Sequence, residues 1–308
     1  MLKNEISNSF AFDQLISFVE NSENEQIREE AIVTLDRIGI FDNKLFKFLE
    51  NILISDADDK IRRAVLKFLE KRYLNKAIAP LKWALNHENN YENLVIIIKS
   101  LKKANSEESK RILFDKTKEI IHTKYINKDK MIENRKFKEI LKKLLKTKKY
   151  ELFSHEELSL ILINFMTIVN LIELYPNVSY EINPENGLLF ELDLSDYFEY
   201  EVKGIPFGWK NNIKSISEIK GLNYLKSLTK INLSNNLIED IKELAKLKNI
   251  THLTLSKNNM SNIKNLEYLK KFEKLEYLDL RDNEIASKIK SDEFNPNIRV
   301  LLKDSYLN

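Results

Sequence analysis

Leu228-x-x-Ile231-x-Leu233-x-x-Asn236-x-Ile238 returns as Ile250-x-x-Leu253-x-Leu255-x-x-Asn258-x-Met260, and again as Leu275-x-x-Leu278-x-Leu280-x-x-Asn283-x-Ile285. The starts lie 22 and then 25 residues apart, and a weaker copy 22 further on keeps Asn297, Val300, Leu302, Ser305 and Leu307. One such unit cannot bury its own apolar side, so neighbours must stack and share a continuous core. Each is expected to be a short strand, a sharp turn and a return segment. Asn carries an acceptor and a donor on one short side chain. At the inner bend, Asn236, Asn258 and Asn283 are therefore expected to form a structural ladder, satisfying backbone groups that the turn leaves without partners. The spacing of three through Ile238, Ile241, Leu244 and Leu247 suits short helical turns in the return segment.

The pattern resembles the leucine-rich repeats, specifically the 22-residue class found in bacterial internalins and in phosphatase-1 regulators. That resemblance implies a curved α/β solenoid whose parallel strands line a concave ligand face. Carried over by position, the outward strand residues are Lys230, Asn232 and Ser234, then His252, Thr254 and Ser256, then Tyr277, Asp279 and Arg281. The weak fourth copy adds Arg299 and Lys303. Most residues at such positions are simply solvated, but Tyr and Arg are enriched at interface hot spots, which favours Tyr277 and Arg281. Upstream, Ile213, Ile216, Ile219, Leu222 and Leu225 match the second half of a unit. Its strand is expected near Val202–Trp209, made irregular by Gly204, Pro206 and Gly208. Before it, Val178–Ile182 and Leu188–Leu194 alternate around Asn183-Pro184-Glu185-Asn186-Gly187, which predicts a β-hairpin capping the open end of the array.

A different repeat occupies the amino-terminal half. Phe12, Leu15, Ile27, Arg28, Ala31 and Leu35 recur 34 residues later as Phe46, Leu49, Ile61, Arg62, Val65 and Leu69. A looser third copy places Ile78, Leu81, Ile97 and Leu101 at an offset of 32. Apolar residues three or four apart predict two amphipathic helices per unit, with turns at Asn21–Gln26, Ser55–Lys60 and His87–Asn90. The units resemble HEAT-type helical repeats sharing an Asp/Glu-x-x-Arg signature, here Glu25-x-x-Arg28 and Asp59-x-x-Arg62. The acid suits the helix amino-terminal dipole, and the Arg can pair with it or with a neighbour's acid. The third unit has Asn93-Leu94 where the Arg would stand. The resemblance implies an all-α superhelix that serves as a docking platform.

Charge is segregated although it nearly cancels overall. Residues 110–150 hold 15 Lys/Arg against 5 Asp/Glu, net +10, and residues 151–210 hold 2 against 11, net −9. A helix over Lys128–Lys149 would present Lys136, Lys138, Lys142, Lys143, Lys146, Lys148 and Lys149, a pattern able to meet phosphates. Ile132, Phe137, Ile140, Leu141, Leu144 and Leu145 form its apolar stripe, so the lysines also read as its wet face. The chain is Lys-rich throughout, 41 Lys to 9 Arg, which favours the wet face. Ser154-x-x-Glu157 predicts a capping box and Pro176 a stop. The apolar stretch between them, Leu158 to Leu174, falls short of about 20 residues and is broken by Asn164, Asn170 and Glu173. It reads as a buried linking helix, with no membrane partner.

With no Cys there is no disulfide framework or thiolate chemistry, and Met1–Phe12 shows no signal peptide, so a cytoplasmic home is expected. No Gly-rich phosphate loop occurs. His87-Glu88 and His155-Glu156 resemble the His-Glu pairs of HEAT-type di-iron hydroxylases, but such enzymes need four, and His87 reads as a turn residue. No nucleophile, base and orienting group assemble, so no catalytic residue, metal or cofactor is expected. The expected organisation is a multidomain repeat protein: a HEAT-like domain over 1–150, a linking helix and β-hairpin cap over 151–200, and leucine-rich repeats over 201–308. The expected function is a non-enzymatic scaffold or adaptor. It would bind a protein partner through Lys230, Asn232, His252, Thr254, Tyr277, Asp279 and Arg281, with the helical stack as a second dock. Nucleic-acid binding by 128–149 is the alternative.

Overall fold

A computed structural model of the chain describes residues 8–122, 131–175, 178–196, 200–202, 205–207 and 211–303. Lys128, Pro176, Gly204, Gly208, Trp209, Ser305, Leu307 and the side chain of Ile132 lie outside that description. Contacts divide the chain into two compact units, Met1–Thr117 with Tyr150–Leu162, and Lys118–Lys149 with Ile163–Asn308.

The helical half forms as the apolar spacing predicts. Three helix pairs come first: α1 (Asn8–Asn21) with α2 (Glu25–Ile38), α3 (Asn43–Ser55) with α4 (Asp59–Arg72), and α5 (Ile78–His87) with α6 (Tyr91–Ala104). Short polar side chains start four of these helices. Asn24, Asp42, Asp58 and Asn90 each accept backbone N–H bonds from the first turn they precede. At the other end of α2, Gly39 takes φ 82°, a left-handed cap that glycine adopts without a Cβ penalty. Across the pairs, α2 packs on α4, α4 on α6, and α3 on α5. Ile61, on the twice-covered α4, is fully buried, whereas its counterpart Ile27 on α2 is 44% exposed. That position is therefore core only where a pair lies on both sides.

Polar side chains tie each pair to the next. The Arg28 guanidinium pairs with Asp56, at the end of α3, and its Nε donates to the Val19 carbonyl at 2.8 Å. Arg62 repeats the move one pair on, forking to Glu88 at 2.8 and 2.9 Å and donating to the Asp56 and Ala57 carbonyls. Each Arg thus meets the acid of the following pair. The acids of its own signature go elsewhere, Glu25 to Lys60 and Asp59 to Arg63. Asn93, standing in for the third Arg, is fully buried. It donates to Glu88 at 3.0 Å and to the Asp59 carbonyl at 2.9 Å.

Three further helices follow, α7 (Glu107–His122), α8 (Met131–Thr147) and α9 (His155–Leu174). The capping box at α9 is formed: the Glu157 backbone donates to the Ser154 hydroxyl at 3.1 Å, and the Ser154 backbone to Glu157 at 2.9 Å. The helix is 20 residues long, so the length argument against a membrane span does not hold; by length and composition it is able to cross one. Within the fold 61% of its most apolar window is buried. In the second unit Phe137 of α8 packs on Phe165 of α9 at 5.1 Å between ring centroids.

The second unit carries a six-stranded mixed sheet and a separate two-stranded one. β1 (Ser179–Ile182) and β2 (Leu189–Asp193) form the expected antiparallel hairpin. Its turn is closed by Asn183 N to Leu188 O and Gly187 N to Asn183 O, with Gly187 at φ 72°. β2 then pairs in parallel with β5 (Lys230–Asn232), and β6 (His252–Thr254), β7 (Tyr277–Asp279) and β8 (Arg299–Leu301) continue the parallel run. The expected strand near Val202–Trp209 is not part of this sheet. β3 (Tyr200–Val202) and β4 (Ile205–Phe207) pair with each other, and the neighbour of β5 is β2. One face of the sheet is sealed by Leu192, Ile231, Leu253 and Leu278, all buried, while Val300 on the edge strand is only half-buried.

Candidate interaction surface

The turns that end the strands are held by the predicted Asn side chains. Asn258 Nδ2 donates to the Leu255 and Ser256 carbonyls of its own turn, at 2.9 and 3.3 Å, and to Leu233 O of the previous rung at 2.9 Å. Its Oδ1 accepts the Ile238 N–H at 2.9 Å. Asn236 and Asn283 repeat this set, donating to Leu194, Leu233 and Ser234, and to Leu255, Leu280 and Arg281 respectively. They accept from Ile213 N and Met260 N at 3.0 and 3.1 Å. The residue before each, Asn235, Lys257 or Asp282, takes φ of 55–56°. All three ladder Asn are buried.

A fourth Asn belongs to the same ladder and the repeat pattern does not reveal it. Asn211 Nδ2 donates to Leu194 O at 2.9 Å and Ser195 O at 3.4 Å, the bonds that Asn236 makes to Leu233 and Ser234. The first rung is therefore β2 plus Asn211, interrupted by the β3–β4 excursion. Leu194 and Asn211 lie 17 residues apart where Leu233 and Asn236 lie 3 apart. The surviving signal is Asn211-x-Ile213, which matches Asn236-x-Ile238. Asn211 Oδ1, with no earlier rung to serve, is buried without a hydrogen-bond partner. A second Asn the pattern missed, Asn265, is 1% exposed; it donates to Glu239 O at 2.8 Å and accepts from Ile241 N at 3.1 Å, stitching the return segments. Asn265 lies on α10 (Lys264–Leu269).

Parallel pairing sets the outward side chains in rows. In the first row Glu191 sits opposite Lys230, Lys230 opposite His252, His252 opposite Tyr277, and Tyr277 opposite Arg299. Lys230 and Glu191 form an exposed pair at 3.3 Å. The His252 and Tyr277 rings stack at 5.9 Å and 21°, and the Arg299 guanidinium lies over Tyr277 at 5.9 Å. The result is a cation–aromatic strip across four strands.

The second row is built differently. Asp193, Asn232 and Asp279 each accept the backbone N–H two residues on, from Ser195, Ser234 and Arg281, at 2.8 to 3.1 Å. Asn232 also donates to Asp193 at 2.9 Å. Arg281 closes a fork on Asp279, whose side chain is 2% exposed. Of the seven predicted contact residues, the structure places Lys230, His252 and Tyr277 in the accessible row. Thr254 is half-buried in the second row, and Asn232, Asp279 and Arg281 are engaged with their own turns. Ser234 and Ser256 are buried beside the ladder.

In the first unit, a cleft of about 340 Å³ is lined by Ile54, Arg62, Trp83, His87 and Glu88 among others. His87 is the last residue of α5 rather than a turn residue, and its ring stacks on Trp83 at 4.1 Å. Burial works against ionisation of Glu88. The Arg62 fork, the Asn90 backbone N–H and the Asn93 amide outweigh it and hold the carboxyl down to about 2. His155 faces the Ser106 carbonyl at 2.9 Å. Among the described residues no group of three or more His, Asp or Glu is placed to hold a metal ion.

No protein-family model matches the chain, and no curated protein matches it. Among solved structures it is similar to the crystal structure of an internalin C2 from Listeria monocytogenes, at 25% identity and a TM-score of 0.24. That match covers 30% of this chain and 37% of the internalin chain.

Proposed function

We propose that the chain is a non-enzymatic protein-interaction scaffold or adaptor, cytoplasmic, that docks a partner protein on the outward face of its parallel strands. In this reading the sheet is a short leucine-rich-repeat array and the helical half a HEAT-type stack acting as a second dock. The observation that carries it is the first row, in which five side chains from five strands line up with an aromatic stack at their centre. Aromatic and Arg side chains held by a rigid scaffold are the usual anchors of protein interfaces. The inter-pair links Arg28–Asp56 and Arg62–Glu88 support the repeat reading of the helices. The test is affinity capture from lysate of the producing cells. His252→Ala with Tyr277→Ala should lose partners that the parent retains, with an unchanged circular-dichroism spectrum. Equal capture by both would remove the site.

A second reading, nucleic-acid binding by the basic segment 128–149, has one favourable observation. Lys142, Lys143, Lys146 and Lys149 are exposed while Phe137, Leu141 and Leu144 are buried. Retention on heparin that falls steeply with salt would favour it over the first reading.

A further inference from the structure

We infer that the first row selects an extended segment of alternating pattern, acid–x–aromatic–x–acid–x–base, lying across the strands in either chain direction. The inference rests on the docking face proposed above and names its ligand. The row runs Arg299, Tyr277, His252, Lys230, Glu191, one residue per strand. Strands lie about 4.8 Å apart, so measured from Arg299 the next four positions fall at roughly 5, 10, 14 and 19 Å. An extended peptide presents same-side residues about 6.8 Å apart, at roughly 7, 14 and 20 Å from its first. The two scales coincide at three places and straddle at one. A first acid meets Arg299, and a second, four residues on, meets Lys230. A base, six residues on, meets Glu191. The residue between the acids falls between Tyr277 and His252, over the paired rings.

Charge fits the same assignment. Arg299 is exposed and its guanidinium lies over the Tyr277 face, so a carboxylate there gains a charged partner. The Lys230–Glu191 pair is 45% and 40% exposed, so exchanging it for contacts to a ligand costs little. A base beyond the second acid keeps that acid from facing Glu191 unbalanced. In the second row Asp279 and Arg281 neutralise each other, and the Asp193 carboxylate, on the same strand as Glu191, adds to the attraction for a base at that end.

The experiment uses the full chain and fluorescein-labelled Glu-Ser-Tyr-Ser-Glu-Ser-Lys, its retro-sequence, the charge-reversed Lys-Ser-Tyr-Ser-Lys-Ser-Glu and a Gln-for-charge version, followed by anisotropy. The first or its retro-sequence should bind at least about tenfold more tightly than the other two, and Arg299→Glu should weaken that peptide and narrow the preference, because its contacts to Lys230 and Glu191 remain. Tyr277→Ala should weaken all of them. Equal binding of the charge variants, still weakened by Tyr277→Ala, would overturn the charge pattern and leave the docking face standing. Binding indifferent to both Tyr277→Ala and Arg299→Glu would overturn the pattern and the face together. No binding by any of the four would overturn the pattern, with the face still answerable to the capture experiment.

Discussion

The helical unit and the sheet unit must both fasten one repeated element to the next, and they do it with opposite chemistry. In the helices the fasteners are ions: Arg28 to Asp56, then Arg62 to Glu88. In the sheet they are neutral amides, Asn236, Asn258 and Asn283. A buried ion pair carries a desolvation cost and answers to pH, whereas an amide bonded at both ends costs less to bury and does not titrate. The geometry explains the choice. Consecutive helix pairs leave an acid at the end of one helix within a long side chain's reach of the next pair. Consecutive strand turns bring carbonyls and an N–H within reach of one short side chain. The two halves should therefore fail under different conditions.

The largest effect belongs to the ladder. Asn258→Ala removes a donor from three carbonyls and an acceptor from Ile238 N–H at a buried site, and should cost about 3 kcal/mol. Urea unfolding should show the same loss at pH 5 and pH 8. A variant as stable as the parent would mean that water replaces the amide freely.

Glu88 is expected to come next, and here pH matters. Its folded carboxyl titrates at about 2, below the ordinary 4.5, so its stabilising contribution is complete above about pH 4.5. It is lost as pH falls from there towards 2, and at neutral pH amounts to roughly 3 kcal/mol at most. Trp83 lines the same cleft and becomes the lone tryptophan when Trp209 is replaced by Phe. In that background Glu88→Gln should lower stability by about 2 kcal/mol at pH 7 and flatten the acid limb of the Trp83 fluorescence titration. An acid limb unchanged by Glu88→Gln would break the contrast between ionic and amide fastening.

Asn211→Ala should have the smallest effect, about 1 kcal/mol, because this Asn makes two bonds, one of them long, and its carbonyl already lacks a partner. A loss as large as that of Asn258→Ala would show that the first rung depends on its amide as fully as the inner ones do.

Much of this was readable from the chain alone. Periodicity gave the helix pairs and the ladder at 236, 258 and 283, strand alternation gave the hairpin over 178–194, and a local motif gave the capping box at Ser154. The first rung was hidden because the excursion after Ser195 moves Asn211 out of register, and period-based reading needs fixed spacing. The outward row was only half legible. Strand alternation says which side chains leave the core, but not that Asn232 and Asp279 turn back to cap their own backbone. The Asx-turn habit of those residue types was the available signal. The partner of Arg28 was open between its own Glu25 and a neighbour's acid, because that choice depends on how successive pairs pack.

The excursion at the first rung has a consequence for engineering. Fourteen more residues separate Leu194 from Asn211 than separate Leu233 from Asn236, yet Asn211 still reaches the same two carbonyls. The ends of the inserted segment are held together by the amide, so closing even a long loop adds only a logarithmic entropy term. The turn after Ser256 shares that geometry and ends at Asn258. It is thus a ready graft point, where a foreign hairpin can be displayed beside the His252–Tyr277 stack without redesigning the sheet that carries it.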